Sequence, residues 1–129
     1  MQKFLTLFLL FSTLTSGSDS TKTTKTFISD TSRTLEMYNN GNTSSISYHK
    51  DTEDGLELIK QEVFHFSGGI SMIGTFENGL RSGIWTFYYE NGIKRLEGTY
   101  NIGQKDSLWT YWYDNGVRIE KRHFRPDLS

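Results

Sequence analysis

Positions 74–120 carry one pattern written twice. Gly74-Thr75-Phe76-Glu77-Asn78-Gly79 returns as Gly98-Thr99-Tyr100-Asn101-Ile102-Gly103. Ile84-Trp85-Thr86-Phe87-Tyr88-Tyr89-Glu90-Asn91-Gly92 returns as Leu108-Trp109-Thr110-Tyr111-Trp112-Tyr113-Asp114-Asn115-Gly116. Gly74 and Gly98, Gly79 and Gly103, Trp85 and Trp109, and Gly92 and Gly116 each stand 24 positions apart, with no gap. A fixed period of this size marks a repeat architecture, whose unit cannot bury its apolar side chains without neighbours. Fainter echoes precede the pair. Phe64-His65-Phe66-Ser67-Gly68-Gly69-Ile70 parallels 87–93; setting Gly69 against Gly92 leaves one residue too few before Gly74 and implies a bulge or shorter turn. Asp54-Gly55-Leu56 parallels Ser82-Gly83-Ile84, and Tyr38-Asn39-Asn40-Gly41 parallels 89–92. Degenerate hairpin repeats are therefore expected over 35–73, ahead of two clear ones over 74–125.

Asn91-Gly92 and Asn115-Gly116 each sit between alternating apolar and polar residues, the strongest short-range signal for a two-residue hairpin turn. About Asn91-Gly92, Tyr89 would oppose Lys94, Phe87 would oppose Leu96, and Trp85 would oppose Gly98, the ring covering the bare glycine backbone. The segments 77–83 and 101–107 read as longer polar loops at the opposite end. The expected fold is all-β: an antiparallel meander of repeated hairpins forming a single twisted sheet. Residues 57–63 also pass for a short helix, but without a cap they fit a strand better.

Alternation sorts the side chains onto two faces. The core face is expected to carry Phe76, Trp85, Phe87, Tyr89, Leu96, Tyr100, Trp109, Tyr111 and Tyr113, with Ile84, Thr86, Tyr88, Leu108, Thr110 and Trp112 on the other. Tyr88 and Trp112, flanked by Thr86 and Thr110, are the candidate partner-binding residues, because Tyr and Trp supply large contact area at few rotors. The competing expectation is that 27–66 folds back over this face; the loops 79–83 and 103–107 would then be next in line. The last strand, 117–125, crowds Arg118, Lys121, Arg122, His123 and Arg125 together. It reads as an edge strand guarded by charge, the alternative being a basic binding strip; Pro126 ends it.

At the N-terminus, Lys3, the apolar run from Phe4 to Leu14 and the small residues Thr15-Ser16-Gly17 have the layout of a secretory signal peptide over 1–17. Ser18 stands where a lipidated cysteine would be needed, so lipid anchoring is not expected. Residues 18–34 read as a solvated leader, with Phe27 and Ile28 as a candidate start of order. The resulting expectation is a secreted or periplasmic protein. With 14 Lys and Arg against 15 Asp and Glu in 129 residues, the chain has no global pull toward nucleic acid or anionic membrane. It has no cysteine, which excludes disulfides, zinc-thiolate sites and cysteine nucleophiles.

The run Gly-Thr-Phe/Tyr, then Gly, then Gly-Ile-Trp-Thr-Phe-Tyr-Tyr-Glu-Asn-Gly resembles the bacterial variant of the MORN repeat (membrane occupation and recognition nexus), found in the YwqK-like antitoxin family. The likeness is good over 74–116 and weak over 38–69, and Ser107 departs from the glycine at Gly83. It implies a twisted hairpin array with a binding role, in some members at membranes and in others against a toxin. The expected signal peptide over 1–17 argues against a cytosolic antitoxin.

No catalytic, metal or cofactor-binding residues are expected. His49, His65 and His123 lie outside metal-ligand spacing of one another, and no nucleophile elbow or phosphate loop is present. Asp51, Glu53 and Asp54 lack the later Glu of a calcium loop. Glu90 and Asp114 recur because the turn recurs. Asn42-Thr43-Ser44 is formally a glycosylation acceptor. The leading reading is an exported non-catalytic binding module with a protein partner. An immunity-type protein that neutralises a toxin is one alternative, and an envelope-associated or lipid-surface protein, with weaker support, is the other. A polysaccharide hydrolase would need two carboxylates across a cleft, which the repeat does not supply.

Overall fold

The computed structural model describes residues 24–28 and 31–125, with side chains from 31 onward. The expected signal peptide and the leader up to 23 lie outside the described residues. The described strands are β1 (Thr24–Ile28), β2 (Thr31–Met37), β3 (Thr43–Thr52), β4 (Gly55–Phe64), β5 (Ile70–Glu77), β6 (Leu80–Tyr88), β7 (Lys94–Asn101), β8 (Gln104–Trp112) and β9 (Arg118–Phe124). They form one antiparallel sheet in the order β1 to β9, with each strand bonded to its neighbours in sequence. The all-β meander is thus as expected, and 57–63 is strand. β1 and the start of β2 fall inside the stretch read as leader. Because β1 to β4 extend the sheet sideways, the described residues of 27–66 do not cover either face of β5–β9.

The two kinds of turn are exchanged relative to the sequence reading. The tight two-residue turns are Asn78-Gly79 and Ile102-Gly103: Glu77 pairs with Leu80, Asn101 pairs with Gln104, and all four turn residues have positive φ. The Asn91-Gly92 turn is longer. Tyr89 N–H bonds Ile93 O at 2.9 Å and Gly92 N–H bonds Tyr89 O at 2.9 Å, closing a loop of Glu90, Asn91 and Gly92. Only Gly92 has positive φ (83°), so this is a turn followed by a glycine bulge, not a mirror-image turn. The bulge moves Lys94 opposite Tyr88 rather than Tyr89; Phe87 opposite Leu96 and Trp85 opposite Gly98 are as read from the sequence.

The same bonding pattern closes 113–117, 65–69 and 38–42. At 65–69 the glycine with positive φ is Gly68 (99°), so Gly68, not Gly69, is the counterpart of Gly92, and the step to Gly74 needs no deletion. Gly55, likewise, is not the counterpart of Gly83. It pairs with Thr52 across a hairpin tip, the place Leu80 holds in the next unit. Gly116→Val should cost about 1–2 kcal/mol in chemical denaturation. An added Cβ meets only Ile93 Cγ2, at 3.9 Å, so the cost is backbone strain at φ 84°; an unchanged midpoint would reject the turn assignment.

The core of this single-layer sheet lies within its own surface. In β6, Gly83 takes φ 70° and the chain bulges, so that Gly74 on β5 falls opposite the stretch 83–85. Ser107 (φ 56°) makes the same bulge in β8 opposite Gly98. The bulge drops the next tryptophan flat over the glycine: Trp85 over Gly74 and Trp109 over Gly98. The ring covering Gly98 is therefore Trp109, not its ladder partner Trp85. Each indole N–H bonds the carbonyl of the residue after the glycine, Thr75 O at 3.0 Å and Thr99 O at 3.1 Å. Phe76, Trp85, Tyr100, Trp109 and Phe124 then stack edge to face, with neighbouring centroids 5.0 to 6.2 Å apart. Arg81 lies 4.4 Å over Trp85 and Lys105 4.4 Å over Trp109 as cationic lids.

In the preceding unit, Gln61 and Ser47 hold the Trp and Gly places, counted from the turn glycine. They pair across β3 and β4, and Gln61 Nε2 donates to Ser47 Oγ at 3.4 Å. Units are also clasped at the three-residue turns. Tyr38 Oη donates to Phe64 O at 2.8 Å and Tyr89 Oη to Trp112 O at 2.8 Å, while His65 Nε2 takes the same role toward Tyr88 O at 3.1 Å.

Candidate functional site

Strand alternation and register place Phe64, Tyr88 and Trp112 in one row on the second face, one aromatic per unit. Ile70, Lys94 and Arg118 pair with them across the three-residue turns. Tyr88 and Trp112 are both half-buried, with Lys94 Nζ 6.0 Å from the Trp112 ring centroid. Ile84 (66% exposed) and Leu108 (40%) lie on the same face by strand alternation, in unbroken register with Thr99 and His123. They carry the apolar strip away from the turn end.

The flanking threonines differ. Thr110 is half-buried, but Thr86 is buried and donates to Glu97 Oε2 at 2.9 Å, so Thr86 serves the sheet rather than a partner. Lys94 Nζ bonds the same oxygen at 2.6 Å. Burial alone would raise the Glu97 carboxyl, but the bonds from Lys94 and Thr86 outweigh it and hold the group below its ordinary value. This contribution to stability is present above the unfolded carboxylate range and is lost as pH falls through the lower folded value.

Of the expected core aromatics, Trp85 and Trp109 are fully buried. Phe87, Tyr89 and Tyr111 are half-buried, since an open sheet has no second layer to close over them. Tyr113 is 52% exposed, a correction explained by its place at the last described turn, with no further unit to clasp among the described residues.

The histidines are dispersed. His49 is on β3, His65 at the 65–69 turn beside Glu90 (Nδ1 to Oε1 3.5 Å), and His123 on β9. Among the described residues, no three His, Cys, Asp or Glu side chains are grouped to hold a metal. Glu53 and Asp54 form the β3–β4 hairpin tip, and Asp51 is the next residue but one before it on β3. Among the described residues, no helix is long and apolar enough to cross a membrane.

A feature missed from sequence lies at the tight turns. Ile102, a β-branched residue, adopts φ 47° where the previous unit has Asn78, and it is 74% exposed. With Leu80, Glu77, Asn78, Ser82 and Asn101 it lines a shallow groove. The available signal was the replacement of Asn by Ile at equal phase of the repeat, at a position where β-branching is strained. The lids Arg81 and Lys105 were equally visible as a pair at the period.

No protein-family model matches this chain, and no characterised protein shows significant similarity to it. The likeness to the MORN variant rests on the repeat residues alone.

Proposed function

We propose that the chain is an exported, non-catalytic β-hairpin repeat module of MORN-like type that binds a protein partner through the second face of its sheet, around Tyr88 and Trp112. The observation that carries this reading is the aromatic row itself. In a sheet with no covering layer among the described residues, Phe64, Tyr88 and Trp112 recur at one place per unit and remain partly open, continued by Ile84 and Leu108. Large aromatics on a rigid strand surface lose little entropy on contact and so suit a binding site. The tryptophans that stabilise the sheet are on the other face, which separates the fold from the contact surface.

A photo-crosslinking amino acid at Tyr88, in cells producing the full chain, is expected to give a discrete adduct. Trp112→Ala should remove it, and the same crosslinker at Asp54 on the hairpin tip should give none. A toxin as the captured protein would make the module an immunity protein. Adducts from 79–83 with none from Tyr88 would move the contact to the tight turns and sink the proposed face. Export is checked by the mass of the mature protein, which should lack residues 1–17.

A further inference from the structure

We infer that the outer edge of β9 takes up an extended acidic segment of another protein as an additional antiparallel strand. This rests on the reading of the chain as a protein-binding module, but it uses the sheet edge instead of the Tyr88 and Trp112 face.

The clasps lead to it. Tyr38, His65 and Tyr89 each reach a backbone carbonyl of the unit that follows, at 2.8 to 3.1 Å. The asparagines beside them do likewise: Asn40 Nδ2 donates to Phe66 O at 3.0 Å and Asn91 Nδ2 to Asp114 O at 2.7 Å. At the last turn the same groups are set out again. Asn115 Oδ1 accepts from Val117 N–H at 3.0 Å, as Asn91 Oδ1 accepts from Ile93 N–H at 3.1 Å. Its amide group, like the Tyr113 hydroxyl, has no carbonyl to bond among the described residues. By repeat phase these two donors correspond to Tyr89 Oη and Asn91 Nδ2, which bond carbonyls of the unit that follows. Among the described residues the outer edge of β9 pairs with no strand, and such an edge supplies the remaining backbone donors and acceptors.

Charge selects the occupant. Arg118, Lys121, Arg122 and Arg125 are all exposed on or beside β9, against Glu120 alone, which is tied to Arg122 Nε at 2.6 Å. Two such edges would repel each other, which argues against a second copy, whereas carboxylates on an incoming strand would be attracted. Arg122 also excludes a further unit of the kind in which a tryptophan lies over a glycine, as at β6 and β8. Counted from the turn glycine, it holds the place of Gly74 and Gly98, where a Cβ would come under 3.0 Å from the covering tryptophan ring. A strand like β8, with its Trp, cannot seat there; a strand with Glu or Asp facing Arg122 can. Ile119 (44% exposed) and Val117 (57%) add apolar contact near the turn end, favouring a segment in which acidic residues alternate with β-branched ones.

The test uses the full chain and a synthetic ten-residue peptide alternating Glu with Val and Thr, together with its Lys-for-Glu isomer. Amide exchange at 118–124 should slow with the acidic peptide, which should bind at least about tenfold more tightly than the basic one. Lys121→Glu with Arg122→Glu should reverse that preference. Tyr113→Phe should weaken binding several-fold while leaving the thermal midpoint in place, since the hydroxyl has no bond in the free protein to lose. Trp112→Ala should leave peptide binding unchanged, which separates this edge from the face proposed above. Equal binding of the two peptides, no slowed exchange on β9, or slowed exchange confined to the Tyr88 and Trp112 strands would overturn the inference.

Discussion

Gly98→Ala is expected to destabilise the protein by about 3–5 kcal/mol, the range for deleting a buried tryptophan outright. A Cβ at Gly98 would sit under 3.0 Å from Cγ, Cδ2 and Cε2 of Trp109, the root of the indole rather than a flexible tip. The ring has nowhere to go. Tyr100 stands edge-on at 5.0 Å, Phe124 at 6.2 Å, and Lys105 covers it at 4.4 Å. One methyl group should therefore expel the whole side chain, break its bond to Thr99 O, and expose one of two fully buried apolar side chains among the described residues. The measurements are the denaturation midpoint and a red shift of tryptophan emission. Trp109→Ala should cost about as much, and Gly98→Ala with Trp109→Ala should cost little more than either, because both remove one interaction. Strictly additive costs, or a Gly98→Ala loss under about 1 kcal/mol, would mean that the ring does not rest on the glycine.

The second large effect is expected at the bulge that aims the tryptophan. Gly83→Val should cost about 2–3 kcal/mol, more than Gly116→Val, because two penalties combine. The backbone at φ 70° disfavours a β-branched residue, and a Cβ would press on Thr75 Oγ1 at 3.0 Å, an atom already bonded to Ser82 O. The mirror experiment is Ser107→Gly. Ser107 holds φ 56° although it is not glycine, helped by Asp106 Oδ1 accepting its N–H at 2.6 Å. Relieving that strain should stabilise the protein by about 0.5–1 kcal/mol. An unchanged or lowered midpoint on Ser107→Gly would show that Ser107 carries no backbone strain at φ 56°.

The candidate binding face was legible because strand alternation survives the bulge. Tyr88 and Trp112 keep their side of the sheet, and period 24 puts them in one row with Phe64. Thr86 has the same phase, yet its burial depends on a cross-strand partner, Glu97, and on Lys94 completing the cluster. Pairwise register and side-chain reach decide that, and a pattern of apolar and polar letters carries neither.

By itself the sequence determined the unit, its length, the antiparallel order and the faces, because these follow from local periodicity and from glycine at fixed phase. It also contained the faint units at Tyr38 and His65, whose turns close with the same hydrogen bonds as Tyr89 and Tyr113. Only the tertiary structure decided which turn is tight. Asn-Gly occurs at 78–79 and at 91–92, and only the first has positive φ at both residues. The difference comes from where the flanking strands stop pairing, which is a property of two strands together. The tertiary structure likewise decided which ring covers which glycine. Trp85 is the ladder partner of Gly98, but the bulge at Gly83 turns its ring onto Gly74, the strand behind. A left-handed residue moves a side chain by a whole strand spacing, and its consequence exists only once both neighbouring strands are in place.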